Sequence, residues 1–151
     1  SQKCVVYHLI IEKENDDQTG IITYDKVVDE VIFNDFLIAD PTGLAAIKPQ
    51  GAAFLIQKET KKARNINLEV DERFKLLLEE RGLASSENPE SYDLFRIKEG
   101  IIEIGEEITV SGQGHWSETE DPDLRTKYPK TLVFSHSNQM PLSISDDPKT
   151  F

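Results

Sequence analysis

The chain of 151 residues is 38% hydrophobic and 30% charged, with a net charge of −11. This is the composition of a folded domain long enough to bury one core, not of a disordered chain. Such an acidic balance disfavours phosphate backbones as partners. No apolar run reaches the ~18 residues of a membrane-spanning helix, and Cys4, the only cysteine, excludes an intrachain disulfide and a cysteine-based zinc site.

Residues 3–13, KCVVYHLIIEK, are rich in β-branched and aromatic side chains with charges at the ends, and predict a strand. Cys4 at its start reads as a small apolar strand residue. An acidic turn over 14–20 closes on Gly20. Residues 21–33 alternate weakly (Ile22, Tyr24, Val27, Val28, Val31, Phe33) and fit one bent strand or two, ending at a turn or bulge at Asn34-Asp35. Phe36-Leu37-Ile38-Ala39 is a short strand. It runs into Asp40-Pro41-Thr42-Gly43, where proline at the second position and glycine at the fourth match a type I turn. Strands over 44–48 and 52–57 are split by Pro49-Gln50-Gly51.

A single helix is predicted from Asp71 to Arg81. Phe74, Leu77 and Leu78 share one face, Asp71 and Glu72 suit the positive end of the helix dipole, and Arg81-Gly82 forms the stop. A polar loop over 83–89 leads to strands at 92–97 and 101–112, turned through Ile104-Gly105-Glu106. Ile108 and Val110 alternate with Glu107 and Thr109, the pattern of a half-buried strand. Gly112 and Gly114 mark a bend or bulge. Residues 116–128 read as an acidic connection, 131–134 as a strand, and 142–144 as a short last strand. Many short strands and one helix predict a mainly β, small barrel-like (OB-like) antiparallel domain with one α-helix near Asp71-Arg81, a single domain over residues 1–151.

Charge is uneven along the chain. Residues 83–123 hold two basic against eleven acidic side chains, net −9. The one basic cluster, Lys58, Lys61, Lys62 and Arg64 in KETKKAR, reads as a solvated loop between strand and helix, with contact to anionic lipid headgroups as the sharper alternative. His8, His115 and His136 show no ligand spacing among themselves and read as strand or loop residues. ETEDPD groups four carboxylates, but it lacks the D-x-D-x-D-G order of an EF-hand loop and reads as solvated. Glu103, Glu106 and Glu107 read as a hairpin rim, not as an acid–base pair. Trp116, the only tryptophan, is expected to anchor the end of the barrel, with a partner interface as the alternative. No catalytic, cofactor or metal residue is assigned, and no cofactor is expected.

Four stretches taken together resemble a known family: KCVVYHLIIEK, DFLIADPTGLAA over 35–46, YDLFRIKEGIIEIGEEITVSGQGHW over 92–116, and LSISDD over 142–147. Arg96, Ile97, Glu99, Ile102, Gly105, Ile108, Val110 and Gly112 match the pattern R-I-x-E-x-x-I-x-x-G-x-x-I-x-V-x-G. Phe36 to Gly43 stands for F-x-L-x-D-x-T-G with altered spacing. The chain thus resembles the GIDE, or BAM ("beside a membrane"), domain of bacterial membrane proteins and of mitochondrial membrane-anchored E3 ubiquitin ligases. The resemblance implies a small β-barrel-like unit between two transmembrane helices, membrane-anchored in the full-length protein and extracytoplasmic; a start on Ser1 fits an excised region. Ligase activity resides in a separate RING domain, whose ligands are absent here, so no enzyme activity is carried over. The expected function is a non-catalytic soluble domain of a membrane protein that engages a protein partner or the membrane surface. The alternatives are an OB-type ligand-binding module for an oligosaccharide or peptide, expected to show an open apolar groove lined by Tyr24, Tyr92 or Trp116, and an enzyme with a spatially assembled His/carboxylate site.

Overall fold

The computed structural model describes residues 4–16, 18–63, 71–147 and 149. Lys3, Asp17 and Arg64 of the segments read above lie outside the described residues. The strands are β1 (Cys4–Asp16), β2 (Ile22–Phe33), β3 (Phe36–Asp40), β4 (Gly43–Lys48), β5 (Ala53–Leu55), β6 (Glu59–Lys62), β7 (Phe95–Glu103), β8 (Thr109–Ser111), β9 (Gly114–Glu118), β10 (Lys130–Ser135) and β11 (Ser143–Ser145). The helices are α1 (Glu72–Glu79), a 3-10 helix (Pro89–Leu94) and α2 (Pro122–Arg125).

The mainly β class holds, but no sheet closes into a barrel. Among the described residues the strands form three open sheets, ordered β2-β1-β7-β6, β3-β4-β10-β9 and β5-β11-β8. Closure needs an unbroken ladder of staggered, tilted strands, and three-residue strands such as β5, β8 and β11 are too short to carry one. Two pairings, β10 with β4 and β11 with β5, are parallel.

The chain divides into two compact units. Unit 1 holds the described residues of Ser1–Tyr7, Ile32–Gln57 and Ile101–Phe151, and unit 2 those of His8–Val31 and Lys58–Gly100. The core of unit 1 is built from Val6, Leu44, Ile47, Ile56, Ile102, Leu142 and Ile144, all buried. Phe33 stacks on Phe54 with ring centroids 5.9 Å apart, a contact that adds to area burial.

The core of unit 2 is built from Leu9, Ile11, Phe74, Leu78, Tyr92, Phe95 and Ile97. Helix α1 starts where predicted: the Asp71 side chain accepts from the Phe74 backbone N–H at 3.0 Å, satisfying one of the unpaired donors of the first turn. It buries Phe74 and Leu78, the i, i+4 pair of its apolar face. Arg81 donates to the Leu77 carbonyl at 3.0 Å and forks onto Glu30 at 3.2 and 2.7 Å, capping the helix and tying it to β2.

Three local readings are corrected. Tyr92-Asp93-Leu94 are not strand: Pro89 opens a 3-10 turn, the Ser91 hydroxyl donates to the Asn88 carbonyl at 2.6 Å, and the Tyr92 hydroxyl donates to Glu79. Lys61 and Lys62 are not in a loop but on β6, paired antiparallel with Ile97 and Arg96. The supposed acidic connection begins as β9, held by antiparallel pairing with β10, and continues as α2, whose first turn is capped by Asp121 accepting from Asp123 N–H at 2.9 Å.

Candidate functional site: two grooves on one sheet of unit 1

The sheet β3-β4-β10-β9 exposes apolar side chains on both faces. The register Ile38↔Ala45, Leu132↔Ala45, Leu132↔Trp116 sets Ile38, Ala45, Leu132 and Trp116 in one row across one face, because paired residues project to the same side. With Phe134, Ile108 and Val110 this row lines an open groove of about 600 Å³. Ile108 and Val110 are half-buried, as expected, but the predicted strand is not formed over residues 104–108, and β8 spans only Thr109–Ser111. Shifting the register by one residue gives Leu37, Ala46, Val133 and His115 on the other face, where they line a second groove of about 590 Å³ together with Leu124 of α2.

Trp116 is 64% exposed, so it does not anchor the fold as expected but stands at the rim of the first groove. Gly114 makes room beside it. A Cβ at Gly114 would sit 2.8 Å from Leu132 Cγ, so glycine here serves close packing on β10 as well as the bend that follows Gly112. Tyr92 is 2% exposed and its hydroxyl is bound to Glu79, which pushes its pKa up to about 12. In unit 2, Tyr24 carries the Arg96 guanidinium 3.5 Å from its ring centroid and accepts from Lys62 Nζ at 2.8 Å. It lines a smaller polar hollow of about 310 Å³. Of the three aromatic residues, Trp116 is the one at an open apolar groove.

Charge around the two grooves is one-sided. Asp40, Glu106 and Glu107 line the first; Glu118, Glu120 and Asp121 line the second, where Lys48 is the single cation among the described residues. Glu106 accepts from the Glu103 backbone N–H at 2.8 Å, as a carboxylate on a hairpin rim does. Asp40 accepts from Thr42 N–H at 2.7 Å and Gly43 N–H at 3.2 Å; its bonds to Thr42, foremost the one from the hydroxyl, lower its pKa.

The histidines are separated. His8, buried, bonds Asp29 through Nε2 at 2.7 Å, while its Nδ1 has no partner among the described residues; neither groove is lined by it. His136 Nδ1 accepts from the Leu142 backbone N–H at 3.2 Å, and its ring packs against Gly51. His115 is exposed on β9. Among the described residues no His, Cys, Asp or Glu group is placed to hold a metal ion.

Of the basic cluster, Lys61 and Lys62 are engaged within unit 2. Lys62 is on Tyr24, and Lys61 Nζ lies 3.9 Å from Asp71. Arg96 and Lys98 both reach Glu12, at 2.8 and 3.0 Å; the Arg96 hydrogen bond, then that of Lys98, holds the Glu12 carboxyl below its ordinary pKa. Compared with family models, curated proteins and solved structures, the chain matches none of them.

Proposed function

We propose that the chain is a non-catalytic binding domain, and that the Trp116 groove of unit 1 takes an apolar segment of a protein partner. One observation carries this reading: the only tryptophan is 64% exposed beside an open groove of about 600 Å³. A ring of that size gains most when a partner covers it, and tryptophans in such settings are typical anchors of binding. Apolar side chains with a few carboxylates at the rim suit a peptide better than an oligosaccharide, whose many hydroxyls need dense polar partners.

A membrane context, proposed from the resemblance to the GIDE/BAM domain, is compatible with this. Direct contact with anionic lipid is the weaker reading, because Glu106 and Glu107 at the groove repel phosphate headgroups and Lys61 and Lys62 are already paired.

The test is panning of random displayed peptides on the intact chain and on Trp116→Ala. The reading expects apolar peptides enriched on the wild-type chain and lost on the variant. Absence of enrichment, or equal enrichment on both, overturns it.

A further inference from the structure

We infer that the partner segment binds as an added strand on the free edge of β9, and that it is basic, with apolar residues at alternate positions; this rests on the binding role proposed above for the Trp116 groove. Among the described residues, strand β9 ends its sheet. The outward N–H and C=O groups of alternate β9 residues therefore have no ladder partner in that sheet, which is the template that strand addition uses.

Native edges are commonly blocked by lysine, proline or cover. Strand β6, an edge in unit 2, follows that rule with Lys61 and Lys62. Strand β9, GHWSE, has neither lysine nor proline, and four of its five residues are exposed.

The second observation is the placement of the two grooves. Trp116 of β9 borders one, and His115 and Ser117 border the other. A strand laid along β9 sends successive side chains to opposite faces. Its odd residues enter the groove beside Trp116 and its even residues enter the groove beside His115. One extended segment fills both, which a helix cannot do.

The third observation is charge. Asp40, Glu106 and Glu107 flank one groove, and Glu118, Glu120 and Asp121 the other, against Lys48 alone among the described residues. Complementarity selects a segment carrying lysine or arginine and rejects an acidic one.

The test uses a synthetic peptide chosen by the panning above, in two forms N-methylated at alternate backbone nitrogens, one for each register. Strand addition expects one register to lose affinity about tenfold or more and the other to stay unchanged, since an edge strand offers only every second N–H to its neighbour. It also expects Glu106→Lys and Glu118→Lys each to weaken binding, one lining each groove, and added salt to weaken it further. Equal affinity of both methylated forms overturns strand addition while leaving the groove as the binding site. Enrichment of acidic peptides, or indifference to Glu118→Lys, overturns the two-groove basic segment. Absence of any enriched peptide removes the binding role itself, a result distinct from the others.

Discussion

Replacing Trp116 by alanine separates a residue that supports the fold from one that waits for a partner. At 64% exposure, about a third of the side chain is covered. A fully buried aromatic removes roughly 150–250 Å² from water, so Trp116 removes about 80 Å². At ~25 cal/mol per Å² that is about 2 kcal/mol, and an upper value, because the unfolded chain already hides part of it. We expect Trp116→Ala to cost about 1–2 kcal/mol. Phe74, 2% exposed in the core of unit 2, is expected to cost about 3–5 kcal/mol as Phe74→Ala, since it leaves a cavity. The assay is urea unfolding followed by far-ultraviolet circular dichroism, because the variant loses the only tryptophan and with it the fluorescence signal. If Trp116→Ala costs as much as Phe74→Ala, the residue is a structural anchor and the argument from its exposure fails.

Gly51 has φ +82° and a Cβ there would sit 2.8 Å from the His136 ring; Gly51→Ala is expected to cost about 2–3 kcal/mol, from left-handed strain and overpacking together, read as a lowered urea midpoint. Glu12→Gln is expected to cost about 2 kcal/mol at neutral pH, between an exposed and a buried ion pair. Because the folded pKa of Glu12 is lowered, its contribution is present above the unfolded value of about 4.5 and is lost as pH falls through the folded pKa. The gap between wild type and variant in denaturation experiments therefore closes in acid; a constant gap refutes the linkage. Tyr92 behaves in the opposite sense. Its pKa rises from 10.0 to about 12, so its contribution is full below about pH 10 and is lost as pH rises toward 12. Tyr92→Phe should lose stability at neutral pH and show a flatter alkaline limb.

Where side-chain pattern and backbone preference agree, the sequence was legible. Val6, Leu9 and Ile11 mark β1, Phe74 and Leu78 mark α1, and Asp40-Pro41-Thr42-Gly43 marks its turn. Helix α1 carries its own cap and stop, so it needs little from the rest of the chain to be recognised. Strands β6 and β9 were not legible. ETKK and GHWSE have no apolar alternation, and each is an edge strand held by its neighbour's hydrogen bonds, which a polar local sequence does not advertise. Missing β9 meant missing the site, because the row Ile38–Ala45–Leu132–Trp116 exists only once four separate strands are in register. Trp116 was visible as a single residue, but its exposure was not, since burial depends on what packs over it. The carboxylates of ETEDPD and of Glu106 and Glu107 read as solvated, and they are exposed; the position of Glu106, Glu107 and Glu118 around two grooves is a property of the folded sheet.

The measurement closest to the central claim is a titration of the isotopically labelled chain with a panned basic peptide, followed by amide and indole resonances in NMR. The account predicts that the Trp116 indole and the amides of Gly114–Glu118 shift together, that alternate β9 amides gain protection from exchange, and that Ile38, Leu132 and Phe134 follow. Shifts confined to unit 2, with the Trp116 indole unmoved, would contradict it.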